Sequence, residues 1–261
     1  MNFELKTLSL SQAAASPCDA LVVLWPEESA AVPAGNWAGL IRAGAKGPHW
    51  EAGVGKVWLS QSPAVCKAAR LVLVRVGQGT PAQVRKAVAA AFAGLKSPAV
   101  KKVVLSLSAL QPPAGALAAA LGAAADATYA YPTTKSKPAP RALSQVLVGV
   151  ADAAALQAEF HEAKASVKGI ELAKEWANRP ANHATPSMLA DVARKLGKSP
   201  RIKTQVLGPR EVKALGMGAF MAVAQGSEEP LRFIVMNYQG GPKGQAPVVL
   251  VGKGITFDTG G

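Results

Sequence analysis

Residues 247–261 read PVVLVGKGITFDTGG. The run at 248–251 is apolar throughout, which predicts a strand that is buried on both faces, as in the sheets of α/β proteins. The glycine-rich loop after it contains Lys253 and Asp258. In α/β enzymes, functional side chains lie just beyond the carboxyl ends of such strands. This stretch therefore predicts an α/β fold with a functional loop after the strand.

The first half of the chain alternates apolar runs rich in Val and Leu with alanine-rich helical patterns. Thr80 precedes Pro81, which is the usual order of a helix N-cap and a first helical residue. The alternation predicts an N-terminal α/β domain with a mixed sheet at residues 1–151. The predicted elements are strands at 20–24, 56–59, 71–76, 103–107 and 145–150, and helices at 81–95 and 114–125.

The second half begins with an amphipathic pattern at 152–178, in which Phe160, Ala163 and Val167 recur three or four residues apart. We interpret this segment as a long helix that connects two domains. Residues 179–261 are predicted to begin a second α/β domain, which is incomplete in this chain. Its predicted elements are helices at 186–196 and 209–215 and strands at 202–207, 231–238 and 247–251.

The formal net charge of the chain is +13, and it is uneven. The first 150 residues contain 15 Lys and Arg against 6 Asp and Glu. A basic half of this kind is typical of a nucleic-acid surface. The basic residues are scattered, however, and do not alternate with aromatic residues, so an ordinary basic surface is the favoured interpretation.

Cysteine usage and the N-terminus indicate where the protein acts. Cys18 and Cys66 form neither a disulfide framework nor a zinc-ligand spacing. The N-terminus, MNFELKTLSL, lacks the apolar core of a signal peptide, and no stretch approaches the length of a membrane span. These features predict a cytoplasmic protein without membrane contact.

The loop residues Lys253 and Asp258 allow two interpretations. A carboxylate can bridge divalent cations, and a lysine can ligate a metal only through its neutral amine, which burial and a nearby cation favour. Alternatively, the two side chains form a pair that holds the loop in place. A phosphate-binding loop is excluded, because Pro247 occupies the position of the first required glycine and Gly254 follows the lysine.

Three motifs in order resemble those of the leucyl (cytosol) aminopeptidase family. VGKGITFDTGG at 251–261 resembles the family's metal-binding signature. NRPANHATP at 178–186 is similar to its N-x-P-x-N-x-x-T-P segment. LGMG at 215–218 with VAQGS at 223–227 resembles the family's LGMG…V-x-Q-G-S stretch. The resemblance covers residues 170–261, and residues 1–150 fit the family's variable N-terminal domain.

The resemblance implies a metal-dependent aminopeptidase that releases N-terminal amino acids, leucine and other apolar residues preferred, from peptide substrates. It implies two divalent metal ions per subunit, manganese or zinc, which activate a water molecule. Lys253 would ligate one ion and Asp258 would bridge both. No catalytic residue is expected within this chain, because the remaining family positions follow Gly261, so we expect residues 1–261 alone to be inactive. The family also implies a homohexamer.

A second hypothesis is a DNA-binding or architectural protein. Some bacterial members of the family that this chain resembles also bind DNA, and the basic N-terminal half is compatible with that role. This hypothesis predicts binding that weakens steeply as the salt concentration rises.

Overall fold

The computed structural model describes residues 1–26, 37, 39, 50–61 and 63–256. These residues form two compact units, Met1–Lys174 and Glu175–Gly261. The predicted domain boundaries at 151 and 178 stay a prediction, whereas the predicted α/β class is confirmed by both the mixed sheet and the helices that cover it.

A six-stranded mixed sheet forms the centre of the first unit. Its strands, numbered along the chain, lie in the order β1-β6-β5-β2-β4-β3. Neighbouring strands run parallel, except that β3 is antiparallel to β4. The strands are β1 (Asn2–Thr7), β2 (Ala20–Pro26), β3 (Val57–Gln61), β4 (Arg70–Gly77), β5 (Lys102–Ser106) and β6 (Gln145–Val150).

Helices cover both faces of this sheet. Alternate residues of a strand point to opposite faces, so one strand contributes side chains to the core on each side. Val22 and Leu24 of β2 belong to one hydrophobic cluster, whereas Leu21 and Val23 belong to the other. The described helices of this unit are α1 (Leu10–Ala15), α2 (Pro81–Ala93), α3 (Ala116–Thr128) and α4 (Gln157–Ala177). The first cluster contains residues of α2, α3 and α4, and the second contains residues of α1. No helix in the described part of the chain is long and apolar enough to cross a membrane.

Helix α4 starts five residues later than the pattern predicts. The carboxylate of Asp152 accepts hydrogen bonds from the backbone N–H groups of Ala154 and Ala155, at 2.9 and 3.2 Å. This local turn competes with helix formation, as short acidic side chains commonly do. The buried stripe of α4 is the predicted one, with Phe160, Ala163 and Val167.

Charged side chains attach α4 to α3. Glu159 accepts a hydrogen bond from the backbone N–H of Ala118 at 2.9 Å, and Lys174 forms an ion pair with Asp126 at 2.6 Å. Arg141, in the loop before β6, forms an ion pair with Glu171 at 2.6 Å. The two helices are therefore joined by polar contacts at both ends as well as by their shared apolar cluster.

The described residues of the second unit after α4 form three helices and a two-stranded antiparallel sheet. Thr185 caps the first of these helices by accepting a hydrogen bond from Met188 N–H, as the Thr-Pro sequence predicts. The elements are α5 (Pro186–Leu196), β7 (Ile202–Leu207), α6 (Pro209–Ala214), α7 (Gly218–Ala224) and β8 (Phe233–Tyr238), preceded by a 3₁₀ turn at Ala181–His183. Strand β7 pairs along its whole length with β8.

The prediction of a buried strand at 248–251 is wrong. The segment has no regular secondary structure, and all four of its residues are exposed. Strand β8 is also incompletely covered, because Val235 and Met236 are exposed. An apolar run forms a buried strand only where neighbouring strands and covering helices are present. In the described residues of this unit, β7 alone pairs with β8, and no strand pairs with 248–251.

Candidate functional site

The segment at 178–186 is held by the side chain of Arg179. Its guanidinium binds Glu175 through Nε and Nη2, at 3.3 and 2.9 Å, and lies 4.0 Å from the centre of the Trp176 ring. Its Nη1 donates to the backbone carbonyl of His183 at 3.4 Å. Arg179 therefore ties the 3₁₀ turn to the last turn of α4.

The LGMG segment at 215–218 ends α6 in a Schellman motif. Gly216 has a φ of 69°, a left-handed conformation that glycine adopts without strain. Its N–H donates to the carbonyl of Lys213, and the N–H of Met217 donates to that of Val212. The first glycine of this motif thus has a clear structural role.

The structure describes one of the two predicted metal ligands, Lys253. Lys253 is exposed and lies outside any regular element. Asp258 lies outside the described residues. Within the part of the chain that the structure describes, no group of three or more His, Cys, Asp and Glu side chains could hold a metal ion. The described side chains therefore do not fit a divalent metal ion by themselves, and we derive no catalytic step through one.

Burial raises the pKa of both cysteine thiols. The pKa of the Cys18 thiol is raised to about 11, chiefly because burial disfavours the thiolate. Burial also raises the pKa of the Cys66 thiol. The thiolate is the reactive form of cysteine, so these shifts disfavour reaction of either side chain near neutral pH.

Models of two domains from one family match the chain in order. The family's N-terminal domain, described as "Cytosol aminopeptidase family, N-terminal domain", matches residues 27–138. The model described as "Cytosol aminopeptidase family, catalytic domain" matches residues 171–261. Together these two matches cover most of the chain.

Curated relatives are similar over the whole chain. A "Probable cytosol aminopeptidase" of Albidiferax ferrireducens is 51% identical over 261 residues, which are 100% of this chain and 54% of the relative. One of Polaromonas naphthalenivorans is 52% identical over 267 residues, which are 100% of this chain and 51% of the relative. The chain spans about half the length of the curated relatives it matches.

Solved structures show the same fold. A mutant of tomato leucine aminopeptidase matches with a TM-score of 0.81 and 22% identity, covering 99% of this chain and 55% of that chain. The bottromycin maturation enzyme BotP in complex with Mn matches with a TM-score of 0.65 and 23% identity, covering 84% of this chain and 45% of that chain. The two ordered domain matches and the identity to the bacterial relatives show that the chain belongs to the cytosol aminopeptidase family.

Proposed function

We propose that these 261 residues form the N-terminal domain and the first part of the catalytic domain of an aminopeptidase, which hydrolyses the first peptide bond of peptide substrates. The observation that carries this proposal is the match of the family's N-terminal domain at 27–138 followed by its catalytic domain at 171–261. A relative that is 51% identical over the whole chain supports it. The preference for leucine and other apolar residues, the cytoplasmic location and the homohexamer belong to the same proposal.

Two divalent metal ions, manganese or zinc, also belong to this proposal. Lys253 and Asp258 are proposed as two of their ligands, because they lie in the segment that the catalytic-domain model matches. The bound manganese of the BotP structure supports a metal in this fold. The described residues do not complete a donor set, so the remaining ligands must come from polypeptide outside them.

The test uses a fusion of residues 1–261 to the part of the Albidiferax ferrireducens relative that lies outside the matched region. We expect the fusion to hydrolyse leucyl-4-nitroanilide when manganese or zinc is supplied, and residues 1–261 alone to be inactive. In the fusion, Asp258→Asn should lower kcat/KM by about a thousand-fold, because metal ions contribute several kcal/mol of transition-state stabilisation.

Matched variants separate loss of a ligand from loss of charge or folding. Asp191→Asn changes an exposed carboxylate of α5 that pairs with Arg194, and should leave activity unchanged. Lys253→Arg keeps the charge but cannot supply a neutral amine, so it should behave like Asp258→Asn, whereas Lys243→Arg should not. Near-normal turnover of Asp258→Asn with full metal content, measured by atomic absorption, would contradict the ligand assignment.

A further inference from the structure

A cavity of about 330 Å³ lies in the first unit, between helix α1 and the chain segment that precedes β4. Small-molecule sites commonly have volumes of about 300–1,000 Å³, so this cavity has the size of a small ligand site. Its floor contains the buried side chains of Ala14 and Trp37. Its mouth is formed by three exposed residues, Ser11, Ala15 and Lys67. The cavity is therefore open to solvent on one side and apolar at its base.

Backbone contacts hold the two walls of the cavity together. The N–H of Lys67 donates to the carbonyl of Ala14 at 2.9 Å. Helix α1 begins with a capping box, in which the side chains of Ser9 and Gln12 accept hydrogen bonds from each other's backbone N–H groups. The walls therefore keep their separation without a ligand, which lowers the cost of ordering them on binding.

The charge of the lining is positive. Lys67 supplies an ammonium group, and among the described residues no acidic side chain lines the cavity. Lys67 also forms no ion pair with a described carboxylate. Cys66 lines the wall, where its thiol donates to the carbonyl of Ala68 at 3.9 Å, and burial raises its pKa, so it adds no negative charge near neutral pH. The cavity therefore favours an anionic group over a cation.

The lining also limits the size and shape of a ligand. A water molecule takes about 30 Å³ in the liquid, so the cavity has room for roughly eleven atoms of that size. Trp37 offers an aromatic surface, against which a second ring packs offset or edge to face. The ammonium of Lys67 and the hydroxyl of Ser11 can donate to the two oxygens of a carboxylate, and hydrogen bonds between ionised groups are strong.

We propose that this cavity binds a small aromatic carboxylate, with the ring against Trp37 and Ala14 and the carboxylate on Lys67 and the hydroxyl of Ser11. None of these residues is a proposed metal ligand, so the inference does not depend on the proposed function. Such a ligand binds only when both walls of the cavity are in place, so it also stabilises the folded first unit.

The test measures binding of 3-phenylpropanoate to residues 1–261 by saturation-transfer difference NMR. This probe has a phenyl ring, a carboxylate and roughly eleven non-hydrogen atoms, which matches the room in the cavity. We expect a dissociation constant of about 1 mM or lower, as for a well-placed ligand of this size. The neutral 3-phenylpropan-1-ol keeps the ring and should bind about tenfold more weakly, because it cannot form the charge-assisted hydrogen bond.

Two substitutions test the two parts of the site. Lys67→Met removes the ammonium and keeps a long side chain. It should weaken binding of 3-phenylpropanoate about tenfold and leave binding of the alcohol nearly unchanged, because only the acid uses the charge. Ala15→Phe places a ring at the mouth of the cavity and should abolish binding of both probes.

Matched controls lie elsewhere in the first unit. Lys96→Met removes an exposed ammonium, and Ala93→Phe adds a ring at the exposed last residue of α2. Neither should change the affinity for 3-phenylpropanoate. Unchanged thermal unfolding of all four variants without ligand confirms that they fold.

Three outcomes would overturn the proposal besides the absence of saturable binding at about 10 mM 3-phenylpropanoate. Equal affinities for the acid and the alcohol would remove the role of the carboxylate. Equal losses in Lys67→Met and Lys96→Met would indicate general attraction to a basic surface. Full binding to Ala15→Phe would place the ligand outside the cavity.

Discussion

Glu159 of α4 provides the cap that the N-terminus of α3 lacks. The residue before α3, Gly115, has no side chain to accept a hydrogen bond from the first turn. The carboxylate of Glu159 instead accepts from Ala118 N–H, and its negative charge faces the positive end of the helix dipole. Glu159→Ala should lower the free energy of unfolding by about 1 kcal/mol, measured by urea denaturation.

The control for Glu159 is Glu162→Ala, which removes an exposed acidic side chain from the same helix. Its effect should remain within about 0.5 kcal/mol, as for most surface substitutions. Equal losses in the two variants would show that only helix propensity and net charge matter. Glu159→Gln, which keeps the acceptor and removes the charge, should lie between the two.

The thiol of Cys18 offers a pH-dependent test of burial. Its pKa of about 11, against an ordinary value of 9.0, leaves about a hundredfold less thiolate at pH 8 than an exposed cysteine has. Alkylation of native Cys18 by iodoacetamide should therefore be slow at pH 8 and should rise until about pH 11. Mass spectrometry of the labelled peptide, with the urea-unfolded chain as reference, measures both rates. A native rate equal to the unfolded rate at pH 8 would contradict burial of the thiol.

The same shift has a consequence for stability. The folded state holds the Cys18 proton more tightly than the unfolded state. The protonated thiol therefore makes its full contribution to the free energy of unfolding below pH 9, and this contribution is lost as the pH rises towards 11. Cys18→Ala should therefore unfold with a weaker pH dependence between pH 9 and 11 than the unchanged protein. Denaturant midpoints at pH 8, 9.5 and 10.5 test this.

At the level of elements, Arg141 joins the end of α3 to α4. Its Nε donates to the carbonyl of Thr128 at 2.8 Å, and Nη2 donates to the carbonyl of Ala125 and to Glu171. The side chains of the ion pair are mostly buried, so its loss leaves helix-end carbonyls and a carboxylate without their partner. Arg141→Met should lower the free energy of unfolding by about 2 kcal/mol, since breaking a largely buried pair costs more than breaking an exposed one.

Arg85→Met is the matched control for Arg141→Met. Arg85 of α2 also pairs with an acidic residue of α3, Asp126, but at 3.6 Å and with most of its side chain exposed. Exposed pairs contribute about 0–1 kcal/mol, so the control should lose much less stability. A loss in Arg85→Met as large as that in Arg141→Met would contradict the role given to burial.

Helix caps and apolar runs in the sequence predicted several helices and strands. Thr185-Pro186 predicted the start of α5, and the apolar run at 145–150 predicted β6. Strand β1 and helix α1 were not predicted, although Ser9 and Gln12 form a capping box that the sequence displays. The strand at 248–251 failed for a different reason. Its apolar pattern indicates residues that are suited to burial. The pattern does not indicate whether neighbouring strands that would bury them are present.

At the level of the whole molecule, the strand and loop pattern at 247–261 singled out Lys253 and Asp258 but left open whether they bind a metal or hold the loop. Only the resemblance to a family motif favoured the metal. Lys253 is exposed, so neither burial nor hydrogen bonding marks it as functional. The metal-ligand roles of Lys253 and Asp258 stay predictions until the fusion is assayed. Binding of duplex DNA by the basic first unit also stays a prediction, and an affinity that falls steeply with salt is the measurement that checks it.

Apolar burial is distributed unequally between the two units. The two large hydrophobic clusters consist of residues of the first unit, and they include fully buried side chains such as Phe92 and Leu117. Among its described residues, the second unit has few buried side chains, such as Ala190 and Val212, and exposes the apolar residues at 248–251. A unit with its own hydrophobic core is expected to fold alone, whereas a unit with few buried side chains is not.

Residues 1–174 expressed alone should therefore unfold cooperatively in urea, with coincident transitions in circular dichroism and tryptophan fluorescence. Phe92→Ala in this fragment should lower the free energy of unfolding by about 3–5 kcal/mol, because it leaves a cavity in the hydrophobic cluster that contains this fully buried side chain. Residues 175–261 expressed alone should show no such transition and should bind a hydrophobic dye. A cooperative transition in the second fragment, with none in the first, would reverse the assignment of the stable core.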